Sequence, residues 1–430
     1  MLWLWLLSAT PALAASQIEI PAEGESWAIG SAHSIRWKPQ PGKAAVRILL
    51  STDRGATWHE IANQAVDGGS YLWKVSGPVS RECKVRVGRM ESGNFRIIPS
   101  QEVPAYRWTK VTMEGPFAPR DGAGALVYDG RMWLIGGWNP KDKQHFPRIC
   151  SNDVWSSSDG LHWTVVKPNT FRDAGFDPTQ DWEGRHTAGY AVFRGKMWIV
   201  GGDPIQGHYQ YDVWNSSDGK TWKQAQPGQR VPWGPRALHY TVSFHNRLWV
   251  MGGQTLPSIA REQEIFYRDI WNTADGVHWE KLHPVEPYWS ARGMIGGSAV
   301  FHDRIWILGG GTYDTPTTPR RNFYNDVWSS GDGIHWKQEA AETPWAPRQY
   351  HDVAVFDGRL WAMEGYSRMN RNDVWYSADG VNWYEVPGTP WKPRHAASVF
   401  VHAGALWMVV GNNMESDVWK LARSVEGGKE

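Results

Sequence analysis

Residues 197–222 read MWIVGGDPIQGHYQYDVWNSSDGKTW, and close copies of this stretch recur along the chain. An apolar run with a central Trp ends at a Gly pair, and after a variable segment the phrase Asp-Val-Trp begins a second run. An Asp-Gly turn then leads to a third Trp. Short apolar runs separated by glycine turns are typical of antiparallel β-strands. Recurrence at a spacing of 44 to 59 residues indicates a repeat architecture.

Each of the three Trp positions can be followed through the repeats, and together they account for 18 of the 30 Trp in this chain of 430 residues. The phrase Asp-Val/Ile-Trp places its Trp at Trp155, Trp214, Trp271, Trp328, Trp375 and Trp419. The apolar run before it places its Trp at Trp133, Trp198, Trp249, Trp306, Trp361 and Trp407. The Trp after the turn occurs at Trp163, Trp222, Trp279, Trp336 and Trp383, and its sixth copy is Trp108.

The position of Trp108 predicts how the repeat array is completed. The last copy, which contains Trp419, has no strand after it, whereas residues 106–111 precede the first complete copy. Pairing this first segment with the last copy would give six units of four strands and leave no open sheet edge. We therefore expect the first strand of the repeat region to join the last unit.

This pattern resembles the kelch repeat family, specifically the six-bladed bacterial kelch proteins related to the central domain of galactose oxidase. The resemblance covers residues 104–423 and implies a six-bladed β-propeller. It implies less about function, because propellers include binding proteins and several unrelated enzymes.

Residues 15–100 form a separate predicted domain with a different pattern. Strict alternation of apolar and polar residues is clear at Cys83, Val85 and Val87, and Gly, Pro, Asp and Asn punctuate the gaps. About seven short strands in such a length favour an immunoglobulin-like β-sandwich. The predicted strands are Gln17–Pro21, Ser34–Lys38, Ala45–Ser51, Thr57–Ala62, Ser70–Val75, Cys83–Arg89 and Asn94–Ile98.

One hairpin of this domain carries a known motif. Ser51 to Trp58 read STDRGATW, which resembles the Asp box of sialidase propellers and related β domains. Asp and Gly suit the turn, and we expect the Trp to cover the core. The motif therefore predicts a structural role here.

The first 14 residues predict export. Residues 1–7 are almost wholly apolar, and Pro11-Ala12-Leu13-Ala14 supplies a small-residue cleavage pattern. We expect a secretory signal peptide over residues 1–14 and a periplasmic or extracellular protein without a membrane span. The balance of 45 basic and 44 acidic side chains excludes a global attraction to nucleic acid.

Function is expected on the face that carries the long loops. In a four-stranded antiparallel unit the connections alternate between two ends, and one end here has only short Asp-Gly turns. The long, variable connections are residues 138–152, 167–184, 254–268 and 311–325. Such loops on a rigid scaffold concentrate function, so we predict a site there and at the mouth of the central channel.

An arginine recurs at that mouth in every unit, three residues after an aromatic residue. The pairs are Phe117/Arg120, Trp182/Arg185, Trp233/Arg236, Trp289/Arg292, Trp345/Arg348 and Trp391/Arg394. Guanidinium groups match carboxylate, sulfate or phosphate, so the six arginines predict an anionic ligand, with Trp345 and His351 as further contacts. The alternative, that arginines and aromatics tie the units together, stays open.

The fifth unit departs most from the repeat. Glu364 replaces the first Gly of the Gly pair and is a candidate general acid or base near Arg348, or a salt-bridge partner of an arginine. His186, His239, His351 and His395 lie on predicted inner strands and have the chemistry of metal ligands. We nevertheless expect no bound metal and no cofactor.

Two functions from different classes follow. The first is an exported binding protein whose loop face holds a glycan or protein, most plausibly anionic. The second is a sugar-acid isomerase of the sialic-acid mutarotase type. Arg348-Gln349-Tyr350-His351 is also similar to a motif of copper-radical oxidases, but those enzymes need an inner-strand Cys that this sequence lacks. Whether the protein is an enzyme stays open.

Overall fold

The computed structural model describes residues 18–40, 42–204, 208–255, 264–293, 297–313 and 320–424. Over these ranges the protein is all-β, as predicted, with 35 strands and no helix, hence none that is long and apolar enough to cross a membrane. The predicted signal peptide, residues 1–14, lies outside the described residues. The chain divides into two compact units, Met1–Glu102 and Val103–Glu430.

The first unit has nine strands. They are β1 (Ile18–Ile20), β2 (Ser26–Ala28), β3 (Ala32–Trp37), β4 (Ala45–Ser51), β5 (His59–Val66), β6 (Ser70–Lys74), β7 (Ser80–Val87), β8 (Met90–Glu91) and β9 (Phe95–Ile98). Strands β1, β3 and β6 pair in that order, and a second sheet has the order β2-β9-β7-β4-β5, with β8 paired to β7. All seven predicted strands are present, whereas β2 and β8 were missed because they are too short to show alternation.

The core of this unit follows the alternation of its strands. On β7, Cys83, Val85 and Val87 are fully buried beside Trp27 and Phe95. Cys83 is a free thiol, as is Cys150 of the second unit.

The Asp box is a hydrogen-bonded hairpin turn. Ser51 Oγ donates to Asp53 Oδ1 at 2.8 Å, the Thr57 amide donates to the same oxygen at 2.9 Å, and the Trp58 indole donates to the Gly55 carbonyl at 3.0 Å. The expectation that Trp58 covers the core was wrong: the ring is half-buried and packs against the Arg86 guanidinium, 3.8 Å from its centre.

The strands of the second unit follow the repeat. They are β10 (Tyr106–Thr112), β11 (Gly124–Tyr128), β12 (Arg131–Ile135), β13 (Val154–Ser157), β14 (Thr164–Lys167), β15 (Gly189–Phe193), β16 (Lys196–Val200), β17 (Val213–Ser216), β18 (Lys223–Gln224), β19 (Tyr240–Phe244), β20 (Arg247–Met251), β21 (Gln254–Thr255), β22 (Ile265–Phe266), β23 (Ile270–Thr273), β24 (Trp279–Leu282), β25 (Ser298–Phe301), β26 (Arg304–Thr312), β27 (Asn322–Ser330), β28 (Lys337–Ala340), β29 (Asp352–Phe356), β30 (Arg359–Met363), β31 (Val374–Ser377), β32 (Trp383–Glu385), β33 (Ser398–His402), β34 (Ala405–Val409) and β35 (Val418–Arg423).

These strands pair into six antiparallel four-stranded groups, one for each sequence repeat, and β21 and β22 form a small extra ribbon. We call the groups sheets 1 to 6. Their orders are β11-β12-β13-β14, β15-β16-β17-β18, β19-β20-β23-β24, β25-β26-β27-β28, β29-β30-β31-β32 and β33-β34-β35-β10. Sheet 6 takes its outer strand from the start of the unit, where Trp108 pairs with Leu421, as the position of Trp108 predicted.

The first strand of each sheet contacts the first strand of the next sheet, and β33 of sheet 6 contacts β11 of sheet 1. Backbone hydrogen bonds also join neighbouring sheets, between residues that stand just before these first strands. The Leu238 amide donates to Thr187, Thr187 to Gly122, Gly122 to Ala396, and Ala396 to Tyr350, at 2.8 to 3.2 Å. The sixth sheet is therefore bonded to the first in the same way as consecutive sheets are bonded to each other.

A glycine and a tryptophan pack where neighbouring sheets meet. A Cβ atom added at Gly219 in the turn of sheet 2 would lie 2.2 Å from the Trp133 ring of sheet 1. The same contact joins Gly160 of sheet 1 to Trp407 of sheet 6. Sheet 6 has no such turn. At its contact with sheet 5, the Tyr106 ring of sheet 6 lies against Trp361 of sheet 5, with ring centres 4.8 Å apart.

We expect Gly219→Ala to destabilise the protein more than Gly195→Ala. Both glycines have a positive φ, +71° and +67°, so alanine costs about 1–2 kcal/mol at either position. No atom lies within 4 Å of a Cβ at Gly195, whereas the Cβ at Gly219 clashes with Trp133 and adds about 1–3 kcal/mol. Urea unfolding of the two variants measures the difference, and equal losses would contradict the packing role.

Candidate functional site

The six repeat arginines lie inside the sheets. Each guanidinium forms a two-pronged ion pair with the Asp of the Asp-Val/Ile-Trp phrase of its own sheet, with shortest N–O distances of 2.5 to 2.7 Å. The pairs are Arg120–Asp153, Arg185–Asp212, Arg236–Asp269, Arg292–Asp326, Arg348–Asp373 and Arg394–Asp417. The indole of the following Trp donates to the same carboxylate in every sheet.

Further contacts of Arg348 show that its nitrogens are already engaged. Arg348 Nη1 also donates to the Glu364 carbonyl at 2.7 Å, and its Nε donates to the Ala346 carbonyl at 3.0 Å. Burial raises the pKa of Asp373, but the hydrogen bond and charge of Arg348 outweigh burial and lower that pKa. A ligand role for the six arginines stays a prediction, and it would require a ligand to displace an aspartate from each of them.

Trp345 and His351, the other predicted ligand contacts, are also internal. Trp345 is 1 % exposed and meets Trp383 edge-on, with ring centres 5.9 Å apart. Its ring lies 5.7 Å from that of His351, which is fully buried. These two residues pack within sheet 5 and against Gly309 of sheet 4.

Glu364 forms a buried pair with another carboxyl group. It is fully buried at a φ of +49°, and its side chain accepts from the Gly365 amide at 2.7 Å. Burial, and then the charge of Asp352, raise the pKa of Glu364, while burial raises the pKa of Asp352 to about 7. Among the described residues, no arginine side chain forms a salt bridge with Glu364, so this alternative gains no support.

A cavity of about 480 Å³ lies among the long loops. Its walls come from the connections after the second strands of sheets 1, 2, 4 and 6, and from residues that directly follow the repeat arginines. They are Asp121, Trp138, Phe146, Pro147, Ile149, Cys150, His186, Thr187, Asp203, Pro204, Tyr209, Ala237, Leu238, Tyr313, Tyr350, His395 and Asn412. We call it the mouth cavity.

Two aspartates flank one histidine in this cavity. His186 Nδ1 lies 3.2 Å from Asp203 Oδ1, and its Nε2 lies 3.5 Å from Asp121 Oδ1. Thr187 Oγ1 donates to Asp203 Oδ1 at 2.7 Å, which fixes that carboxylate. Backbone pairs position the group, because Asp121 exchanges two hydrogen bonds with Trp138 and His186 exchanges two with Asp203.

The electrostatics of this group suit proton exchange. Burial raises the pKa of Asp121 to about 6, although the neighbouring His186 lowers it. Burial lowers the pKa of His186, but the charge and hydrogen bond of Asp203 more than compensate and raise it. A carboxyl group and an imidazole, both with raised pKa values, therefore face the same cavity.

Aromatic residues form the rest of the wall. The Trp138 ring lies 5.7 Å from that of His186, and the hydroxyl of Tyr350 is hydrogen-bonded to that of Tyr313. The His395 ring lies 5.1 Å from Tyr350. Phe146 is 74 % exposed and stands at the rim. These rings offer apolar faces beside the polar Asp-His-Asp group.

The bottom of the cavity is formed by residues that stand two positions after the repeat arginines. Thr187, Leu238 and Tyr350 line the cavity, and their φ angles are +52°, +63° and +53°. Gly122 and Ala396 share this left-handed conformation. The backbone hydrogen bonds described above join these residues across the sheets, so they form a continuous layer beneath the cavity.

Sequence reasoning did not single out most residues of the mouth cavity. It singled out His186 and His395, but as possible metal ligands, and it overlooked Asp121, Asp203 and Tyr313. The sequence did contain one indication of these residues: the residue after the invariant arginine differs in nearly every unit. These residues are Asp121, His186, Ala237, Gly293, Gln349 and His395.

No protein-family model matches the chain, and a search of curated proteins finds no sequence match. Among the described residues, no group of three or more His, Cys, Asp or Glu is placed to hold a metal ion. His239 and His351 stand three positions after their arginines, whereas His186 and His395 stand one position after theirs, so the four histidines do not share one level. The copper-oxidase alternative gains no support from this arrangement.

We expect Arg348→Ala to lower stability by about 3–5 kcal/mol, because it leaves Asp373 buried without its partner. The exposed Arg194 provides the control, and Arg194→Ala should change stability by no more than about 0.5 kcal/mol. Denaturant unfolding measures both. An unchanged stability for Arg348→Ala would show that the ion pair is not a structural tie.

We expect Asp121→Asn to flatten the pH dependence of stability between about pH 4 and 6. The pKa of Asp121 rises from its usual 3.8 to about 6 on folding, so the folded state binds more protons and loses stability as pH rises through this range. The stability that the parent loses over this pH range, and that the variant should keep, is about 2–3 kcal/mol. Unfolding of parent and variant at pH 4, 5, 6 and 7 measures it, with Asp129→Asn, an exposed turn residue, as control. Parallel pH profiles for parent and Asp121→Asn would contradict the assignment.

Proposed function

We propose that the second unit is a six-bladed β-propeller of the kelch type and that the first is an immunoglobulin-like sandwich. The propeller is supported by six four-stranded sheets whose first strands contact one another in sequence and return from sheet 6 to sheet 1. It is also supported by β10, which completes the last sheet. The sandwich is supported by two sheets around one core. The leader-like residues 1–14 favour an exported protein, periplasmic or extracellular.

We propose that this protein binds a saccharide in the mouth cavity. The observation that carries the proposal is the combination of aromatic faces with hydrogen-bonding groups in one recess of about 480 Å³. Sugar rings present apolar faces that pack on aromatic rings, and hydroxyl groups that carboxylates, amides and imidazoles bind. Trp138 and Tyr350 would supply the first kind of contact, and Asp121, Asp203 and Asn412 the second.

The charges of the cavity favour a neutral sugar over an anion. The arginines that suggested an acidic glycan or an anionic protein are held by aspartates inside the sheets. Two carboxyl groups, Asp121 and Asp203, face the cavity instead. Burial lowers the pKa of His395 to about 3, so this residue adds no positive charge at neutral pH.

A second candidate is an isomerase that acts on the ring of the bound sugar, related in chemistry to the sugar-acid mutarotases. It is favoured by the position of His186 between two carboxyl groups. In ring opening, a base takes the proton of the anomeric hydroxyl while an acid protonates the ring oxygen, and the bond between the anomeric carbon and that oxygen breaks. Asp121 is suited to the first role, and His186, whose pKa is raised by Asp203, to the second.

Calorimetry against neutral, amino and acidic saccharides tests the binding proposal. We expect neutral sugars to bind best and Trp138→Ala to weaken them about tenfold or more, since an aromatic contact and its buried area are lost. Arg194→Ala, on the opposite side of sheet 2, serves as the control and should leave affinity unchanged. Preference for acidic sugars, or binding unaffected by Trp138→Ala, would contradict the proposal.

The same sugars distinguish binding from turnover. Exchange of the two anomers, followed by nuclear magnetic resonance, should accelerate with the parent protein and slow with His186→Gln if the site is an isomerase. Sugar binding without faster exchange of the anomers would support the binding function and contradict the isomerase.

A further inference from the structure

The two ring nitrogens of His395, on the wall of the mouth cavity, have different surroundings. Nδ1 lies 2.7 Å from Asn370 Oδ1. Nε2 has no hydrogen-bond partner among the described residues, which leaves it available to a ligand in the cavity. One nitrogen of a neutral imidazole donates a hydrogen bond and the other accepts one, so the position of the ring proton decides which ligand groups can bind here.

The side chain of Asn370 fixes the position of that proton. Its Nδ2 donates to Asn412 Oδ1 at 2.8 Å, which turns its own Oδ1 towards His395. A carbonyl oxygen only accepts, so Nδ1 of His395 is the donor and carries the proton. Nε2 then has a free lone pair. Asn370 does not line the cavity, and it reaches the ligand only through His395.

Asn412 gives this network its direction. It lines the cavity beside Asp121, and although burial raises the pKa of Asp121, Asn412 is among the groups that lower it. A side-chain amide lowers the pKa of a carboxyl group by donating to the carboxylate. Nδ2 of Asn412 therefore faces Asp121, and its Oδ1 is left to accept from Asn370. Reversing both amides would put a carbonyl oxygen against the carboxylate.

Further contacts hold the His395 ring neutral and in one orientation. Burial lowers its pKa to about 3, so the lone pair on Nε2 remains unprotonated at pH 7. The ring packs on Tyr350 and Tyr366, with ring centres 5.1 and 5.7 Å away. The backbone carbonyl of His395 also accepts from the Asn412 amide at 2.9 Å. Turning the ring to exchange its two nitrogens would break the bond to Asn370.

We propose that His395 Nε2 is a fixed acceptor for one hydroxyl group of the bound ligand, and that Asn370 is the residue that positions it. The inference rests on the proposed saccharide function and makes His395 a specificity-determining residue of that site. A sugar hydroxyl can donate to Nε2. An ether oxygen, a fluorine atom or a carboxylate at the same point would meet a lone pair without a proton to share, which weakens binding. The ligand is therefore a sugar whose hydroxyl is free at this point.

Nuclear magnetic resonance of the ring nitrogens tests the position of the proton without any ligand. At pH 7, long-range proton–nitrogen spectra of the parent should show His395 with its proton on Nδ1, and His395→Phe identifies the signal by its loss. Asn370→Asp keeps an acceptor oxygen for Nδ1 and should preserve this form, whereas Asn370→Leu removes the acceptor and should not. A parent with the proton on Nε2, or an Asn370→Leu variant identical to the parent, would overturn the proposal.

Calorimetry with glucose, galactose, mannose and their monodeoxy forms tests the contact with the ligand. For a sugar that binds the parent, one deoxy form should bind about tenfold more weakly or worse, because Nε2 loses its donor. In His395→Phe, which keeps a ring but no acceptor, the same deoxy change should weaken binding by less than about threefold, since the two groups are coupled. Asn370→Leu should behave similarly, and His59→Phe, an exposed residue of the first unit, should match the parent.

The outcomes separate this inference from the function on which it rests. Sugar binding in which every deoxy change has the same effect in the parent and in His395→Phe would overturn the role of His395 and leave the binding proposal intact. No binding of any of these sugars by the parent would overturn both. Because Asn370→Asp retains the bond to Nδ1, equal losses of affinity in Asn370→Asp and Asn370→Leu would contradict the positioning role of Asn370.

Discussion

Every sheet of the second unit depends on one buried ion pair between an arginine and an aspartate. The two residues are separated by 23 to 34 positions in sequence, because the segment between them includes a loop of variable length. The pair nevertheless has the same geometry in all six sheets, and the following Trp indole shares the carboxylate. The arginine before the first strand is thereby held to the third strand. Removing either partner would leave a charge buried among apolar rings.

This constraint explains why the loop face can vary. Each arginine holds both ends of the connection between the second and third strands, because it pairs with the Asp at one end and donates to a backbone carbonyl at the other. The residues between those ends are free to differ. The residue directly after the arginine is equally free, because its backbone is held while its side chain faces the mouth cavity. Asp121, His186 and His395 occupy that position in three sheets, Asp203 follows the glycine pair of sheet 2, and Asn412 follows the corresponding Val410-Gly411 of sheet 6. Side chains that differ between the sheets therefore line the cavity, while the ion pairs that position them are the same in every sheet.

The sequence was sufficient to predict the strands, the repeat and the strand that completes sheet 6, because Trp108 is an unmistakable copy of a periodic residue. It also contained both halves of the ion pair, in the arginine after each aromatic and in the phrase Asp-Val/Ile-Trp. Nothing in the spacing said that they meet, so the arginines were interpreted as ligand contacts. The site was harder to predict, because Asp121, His186 and Asp203 come from three segments that only the tertiary structure brings together. The partner of Glu364 was missed for a related reason, since Asp352 lies on the preceding strand of the same hairpin.

Strand β10 has a consequence for the order in which the protein can be made. Tyr106 pairs with Arg423, so the sixth sheet joins a segment synthesised early to one synthesised almost last. Until that C-terminal strand has emerged, β10 has no partner, and its exposed edge is open to pairing with other chains. Contacts between such distant segments also form slowly, because a long chain must first be brought back on itself. A chain that stops short of β35 would therefore leave both β10 and β34 with an unpaired edge.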